Sequence, residues 1–383
     1  MYSHSDIQDA VEGGALTADQ AASLRNFVAR RSGTPTADEE PVRWLLGFND
    51  YYCFISSFLL IIGIGWVGYK ISGGRDAMWV APLLVALACW GLGEIFGRMR
   101  RLALTAIGLA AVFVFAVMLT IVLLAVQLIG PNADRSTGQL VIAFAAAVAA
   151  GASFLHWKRF AEPVAVALGT GMVAIALMSL LNLVMPTDPD GTVGFVVLTL
   201  IGVATLVYAV IWDSKDVGRI TKKNDVGFWL HYVAAWETTM GLGGLLGLTT
   251  AFGSPSQGAA IGGIVVFLVL ALVGLVLDRR LWALFGAWLL GVSIHTLIKG
   301  EPAYSPYGGN GDYGNPYGSP YAMMGIGDSI DNVMLTLLIV GVLLVALGIF
   351  WTQIRRVVGA LAGPLATRIP ATRGEVGEGK AFE

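Results

Sequence analysis

LALTAIGLAAVFVFAVMLTIVLLAVQL, residues 102–128, carries no charged side chain along its whole length and follows directly on Arg98, Arg100 and Arg101. A helix needs about 20 mainly apolar residues to cross a hydrocarbon layer about 30 Å thick with every backbone N–H and C=O satisfied internally. This stretch meets that requirement with residues left over. Working outward from it, similar stretches recur at 52–71, 77–97, 138–156, 162–185, 193–212, 226–252, 258–278, 281–299 and 330–352. The sequence therefore predicts an all-α, polytopic transmembrane bundle of about ten spanning helices over residues 41–356. A small soluble helix pair with its linker (1–40) precedes the bundle, and a tail (357–383) follows it.

Composition agrees. Of the 383 residues 56% are hydrophobic and only 13% are charged, about half the roughly 25% charge of a typical soluble domain. The net charge of -2 gives no general attraction for nucleic acid, and the basic residues sit in short loops instead of one patch. Membrane lipid is the expected surroundings. Cys53 and Cys89 lack CxxC spacing and read as small packing residues, with no metal or cofactor site implied. No secretory signal is expected, because the first apolar run starts only after a long charged N-terminal region.

The loops record orientation. Assigned alternately, the two sides collect 20 and 4 of the 24 Lys and Arg residues. The positive-inside rule then places both termini in the cytoplasm, and the location expected is a bacterial inner membrane. Dropping or adding one crossing would scramble this alternation.

At the N-terminus, Ile7 to Val11 suggests one turn of helix, Gly13-Gly14 a break, and Thr17 with Gln20 a capping box opening a second helix. Leu16 precedes the cap, and Leu24, Phe27 and Val28 form a helical stripe that would suit a protein partner. Residues 32–41 read as a linker and 44–52 as an interfacial approach. The glycine pairs Gly243/Gly247 and Gly258/Gly262 predict close helix packing within the bundle, with homodimerisation as the alternative. Residues 300–328, rich in Gly, Pro and Tyr, read as a long periplasmic loop, either unfolded with tyrosines at the interface or serving as a lid.

An ionisable residue deep in a bilayer costs about 2.5–3.5 kcal/mol on insertion scales and is a default functional candidate. Glu237 is the outlier here, about 15 Å above the start of the seventh segment at 1.5 Å per residue. Glu237, Gly241 and Gly244 share one helical face, so a neighbouring backbone is expected to approach and bury the carboxyl. His295 is its nearest candidate partner in depth, at about 21 Å. His231 lies six residues before Glu237, about 120° away around the helix. With Asp225 or Asn224 as a cap and Phe228 and Trp229 as interfacial aromatics, His231 reads as an anchor of the helix entry. Glu94, His156 and Asp278 sit near inner helix ends. Gln127 and Asn182 are candidates for hydrogen bonds between helices.

The run Asp225-Val226-Gly227-Phe228-Trp229-Leu230-His231, the triplet Asp278-Arg279-Arg280, and Trp351 with Arg355-Arg356 resemble a family of uncharacterised multi-pass inner-membrane proteins of Gram-negative bacteria. The N-terminal helix pair resembles that family's soluble cap. The resemblance implies fold and location and no activity. In the family, Pro and a second His stand where this chain has Trp236 and Met240, which speaks against a paired-His metal or haem site.

No Walker loop, HExxH, GxSxG or dinucleotide loop is present, and the chain does not read as an enzyme. Two expectations follow. One is a transporter or permease whose polar route passes Glu237 and His295. The other is a non-catalytic scaffold or sensor that binds a partner through its N-terminal helix pair.

Overall fold

The computed structural model describes residues 4–17, 19–24, 48–73, 77–130, 133–185, 191–216, 222–249, 255–299 and 326–362. The linker at 32–41, almost all of the loop at 300–328 and the tail beyond 362 lie outside these residues. Helix is the only regular secondary structure among the described residues. In chain order the helices are α1 (His4–Glu12), α2 (Phe48–Ile71), α3 (Val80–Leu92, extended by a π-helical stretch, Gly93–Met99), α4 (Ala103–Ile129) and α5 (Arg135–Phe160). They continue as α6 (Pro163–Val184), α7 (Thr192–Ser214), α8 (Lys222–Leu245), α9 (Gln257–Leu277), α10 (Leu281–Lys299), α11 (Ile326–Ile349) and α12 (Trp351–Ala362).

Nine of the described helices, α2–α7 and α9–α11, are long and apolar enough to cross a membrane. Their outer faces carry large exposed apolar side chains such as Leu59, Ile62, Trp66, Val184, Leu337 and Leu338. An apolar exterior of this extent needs lipid around it, since water-soluble monomers rarely expose patches beyond a few hundred Å². The chain is an integral membrane bundle. The expected count of ten included α8, which has the length but not the apolar composition of its neighbours. Its polar side chains are covered by protein: 13 of its 24 residues are buried, and α6, α7, α9 and α10 all pack against it.

The expected seventh segment, 226–252, needs correction. Helix α8 begins at Lys222 and ends at Leu245. Gly247 adopts the left-handed conformation (φ 70°), with Gly247 N donating to Gly244 O at 2.9 Å and Leu248 N to Gly243 O at 2.8 Å. That pair of bonds is a Schellman stop, and glycine takes the left-handed position without Cβ strain. Gly247 therefore ends a helix and is no part of a packing motif. Its partner in the pair, Gly243, does pack closely, against Leu289.

The first expected segment also starts early, at Phe48, for a physical reason. Asp50 in its first turn accepts hydrogen bonds from Leu104 N (2.9 Å), Thr105 N (3.0 Å) and Thr105 Oγ (2.8 Å). One helix thus supplies the capping carboxylate for the N-terminus of another. The N-terminal capping box is present as expected, with Thr17 N donating to Gln20 Oε1 (2.9 Å) and Gln20 N to Thr17 Oγ (3.2 Å). Cys53 and Cys89 are free thiols. Asn182 bonds back to Met178 O in its own helix, and Gln127 is exposed, so neither links two helices there.

Candidate functional site

Helices α7 and α8 approach so closely that glycine is required on both. A Cβ on Gly202 would lie 2.7 Å from Thr238 N, and one on Gly241 would lie 2.7 Å from Thr199 N and 2.9 Å from Phe195 O. Gly244 seats the Phe195 ring. The face formed by Glu237, Gly241 and Gly244 is thus the one that receives a neighbouring backbone. In lipid, small residues of this kind let dispersion contacts hold helices together.

Glu237 is 1% exposed. Neither carboxyl oxygen meets a hydrogen-bond donor among the described residues, although the Thr205 hydroxyl of α7 faces it. The hydroxyls of Thr238 and Thr239 beside it are buried in the same condition. His295 is half-buried and is not hydrogen-bonded to Glu237. Aligning α8 and α10 at the contact of His231 with Trp282 leaves His295 seven residues farther outward, about 10 Å. The structure does not bring the two together.

What it does bring together lies at the other end of α8. Asn224, Gly227 and His231 follow i, i+3, i+7 and share one face. Against that face stand Asp213 from the last turn of α7 and Arg279 from the turn between α9 and α10. Arg279 Nη2 donates to Asp213 Oδ1 at 2.7 Å and to Asn224 Oδ1 at 2.7 Å, and its Nε lies 3.3 Å from Asp213 Oδ2. His231 Nε2 lies 2.9 Å from Asp213 Oδ2, and Trp282 Nε1 donates to His231 Nδ1 at 3.3 Å. All five side chains are buried, with His231 at 0% and Arg279 at 1% exposure. A buried ion pair persists only when its remaining donors and acceptors are also met, and here Asn224 and His231 meet them. Gly227 makes the room, since a Cβ there would sit 2.1 Å from Asp213 Oδ1.

His231 is therefore more than an entry anchor. Nor does Asn224 act as a cap: it lies inside α8 and takes a hydrogen bond from Arg279. Trp229 packs through its ring, 5.5 Å from Phe228 and 5.9 Å from Tyr232. Asp225 is half-buried and contributes to a polar patch with Glu162, Lys222 and Asp50. Glu162 stands in the two-residue break before α6, outside the spans. Burial raises its carboxyl to about 7, with Lys222 opposing and Asp225 and Asp50 adding to the rise.

The turn holding Arg279 is gripped from its outer side as well. Asp278 is left-handed (φ 54°) and takes Arg355 Nη1 at 3.1 Å and Trp351 Nε1 at 3.4 Å, both from α12. Arg280 lies over the Trp351 ring. The remaining inner-end candidates are accounted for by packing and pairing: Glu94 pairs with Arg159 at 2.6 Å, and His156 is enclosed by the rings of Trp90, Phe113 and Phe160. Among the described residues no group of three or more His, Cys, Asp or Glu side chains is arranged to hold a metal ion.

Fold and site together define an integral membrane helix bundle in which one polar helix, α8, is covered by four others. No protein family, curated protein or solved structure matches this chain.

Proposed function

We propose that the protein is a transporter or permease of a bacterial inner membrane, with both termini in the cytoplasm and a polar route along α8 past Glu237. The observation that carries this reading is α8 itself. A helix bearing Asn224, His231, Glu237, Thr238 and Thr239 on buried positions is costly to keep at membrane depth and is shielded by four neighbours, as polar pathway helices are. The chain's charge alternation supports the orientation. Complementation of a strain lacking the gene tests the reading. Glu237→Gln, which keeps shape and removes the ionisable group, is expected to lose the growth or uptake phenotype while Glu237→Asp retains part of it. Full complementation by Glu237→Gln would overturn the proposal.

The close packing of α7 on Glu237 favours a second reading, a non-catalytic scaffold or sensor in which the carboxyl only holds helices together. In that case the N-terminal helix pair, tied to the bundle through the Asp9–Arg101 ion pair (3.2 Å), recruits a protein partner. A pull-down that loses its partners when residues 1–40 are removed would support it.

A further inference from the structure

Asp213 on Nε2 and Trp282 on Nδ1 favour the same tautomer of the His231 ring. The Asp213 carboxylate only accepts hydrogen bonds, so Nε2 carries the hydrogen. The Trp282 indole only donates, so Nδ1 presents its lone pair. In this arrangement the imidazole is neutral, and Arg279 supplies the positive charge paired with Asp213. A proton arriving at Nδ1 takes up that lone pair and leaves two N–H donors facing each other across 3.3 Å. The hydrogen bond from Trp282 must then break.

We infer that His231 is a proton-binding site whose occupancy is read out by displacement of Trp282. This goes further than the transport reading and rests on it in one respect, that α8 is the polar helix of the route. The bond formed is Nδ1–H, the bond lost is the hydrogen bond from the indole, and the proton comes from the aqueous phase at the inner end. Trp282 is well placed to pass the change on. It is 1% exposed, packs with Ala234, Ala235 and Leu270, and its Cβ lies 3.2 Å from the Cβ position of Gly274. Ala234 and Ala235 occupy the half-turn of α8 just before Glu237.

The charges around the ring are set by every packed element. Asp213 and Asp216 come from the end of α7, Arg279 and Asp278 from the α9–α10 turn with Arg355 of α12 behind it, and Arg280 from the start of α10. Glu162 precedes α6, and Lys222, Lys223, Asp225 and Glu237 lie on α8. Among them Asp213 is the group hydrogen-bonded to the ring, and in the protonated state it is shared between two cations, His231 and Arg279.

The test uses the full-length protein in lipid nanodiscs with nitrogen-15 in histidine and tryptophan, titrated over about pH 5 to 8. His231→Gln assigns the imidazole resonances and Trp282→Phe the indole. The expected result is an Nε2–H, bare-Nδ1 ring at the alkaline end, converting to the doubly protonated ring as pH falls, with the Trp282 indole resonance moving at the same midpoint. Should Trp282→Phe fail to fold, the indole is assigned as the one tryptophan resonance shifted by His231→Gln. The opposite tautomer, a ring that never protonates in this range, or protonation with an unmoved indole would each overturn the inference. No transport is measured, so a silent His231 beside an inactive Glu237→Gln would sink this inference and leave the reading of Glu237 standing.

Discussion

Gly227 shows how much a single hydrogen atom in place of a methyl group can decide. Its Cβ position lies 2.1 Å from Asp213 Oδ1, so Gly227→Ala must push the carboxylate off Arg279. Losing one side of a buried pair costs about 3–5 kcal/mol, and a thermal-unfolding assay in detergent should register a destabilisation of that order. Gly151→Ala is the matched control, because nothing lies within 4 Å of a Cβ there. It should be neutral or gain about 0.5–1 kcal/mol from helix propensity. Glu162 predicts a pH dependence. Its carboxyl is raised from 4.5 to about 7 by burial, so the folded state holds a proton that the unfolded state releases. The stability it contributes is full below pH 4.5 and is lost as pH rises through 7. Unfolding midpoints of the native protein should fall across that window relative to those of Glu162→Gln, and parallel curves would refute the assignment. At this scale the burial of Glu237 on its glycine face was legible in the sequence, because both are local to one helix. Asp213 and Arg279, 66 residues apart in the chain, offered no local pattern that links them.

The expected segment 330–352 ran two residues into α12, and the expected tail from 357 took in its second half; α12 is instead a separate element, Trp351–Ala362. Helix α11 stops at Ile349, and Trp351 begins an amphipathic helix whose first turns dock on Asp278. Trp351 is buried against Ala271, Leu275 and Ala283, so Trp351→Ala should cost about 3–5 kcal/mol, visible as a lowered unfolding midpoint. Arg355→Ala breaks a largely buried ion pair, with side chains 10% and 24% exposed, and should also lower the midpoint. An unchanged midpoint for Trp351→Ala would refute the indole as the anchor. Apolar length made most elements legible, and the capping box of Thr17 and Gln20 made one helix start legible. The early stop of α8 was hidden because apolar residues run on past Gly247, and only backbone geometry distinguishes a glycine that ends a helix from one that packs.

At the scale of the whole molecule, five polar contacts between distant parts of the chain gather at one end of the bundle. Asp9 with Arg101, Asp50 with Thr105, Glu94 with Arg159, Asp213 with Arg279 and Asp278 with Arg355 all join the ends where the sequence concentrates its basic residues. Reporter fusions should find residues 1 and 383 on the cytoplasmic side and a tag near residue 312 on the opposite side. A fusion at 383 reporting from outside would refute the orientation. The sequence by itself determined that the chain is a helical membrane bundle, because hydrophobic length acts locally against a bilayer of fixed thickness. Only the tertiary structure decided that α8 is covered by four other helices and that His231, Asp213 and Arg279 form one network. A buried charge is stable only beside partners delivered by other helices, and helix packing alone sets which helices those are.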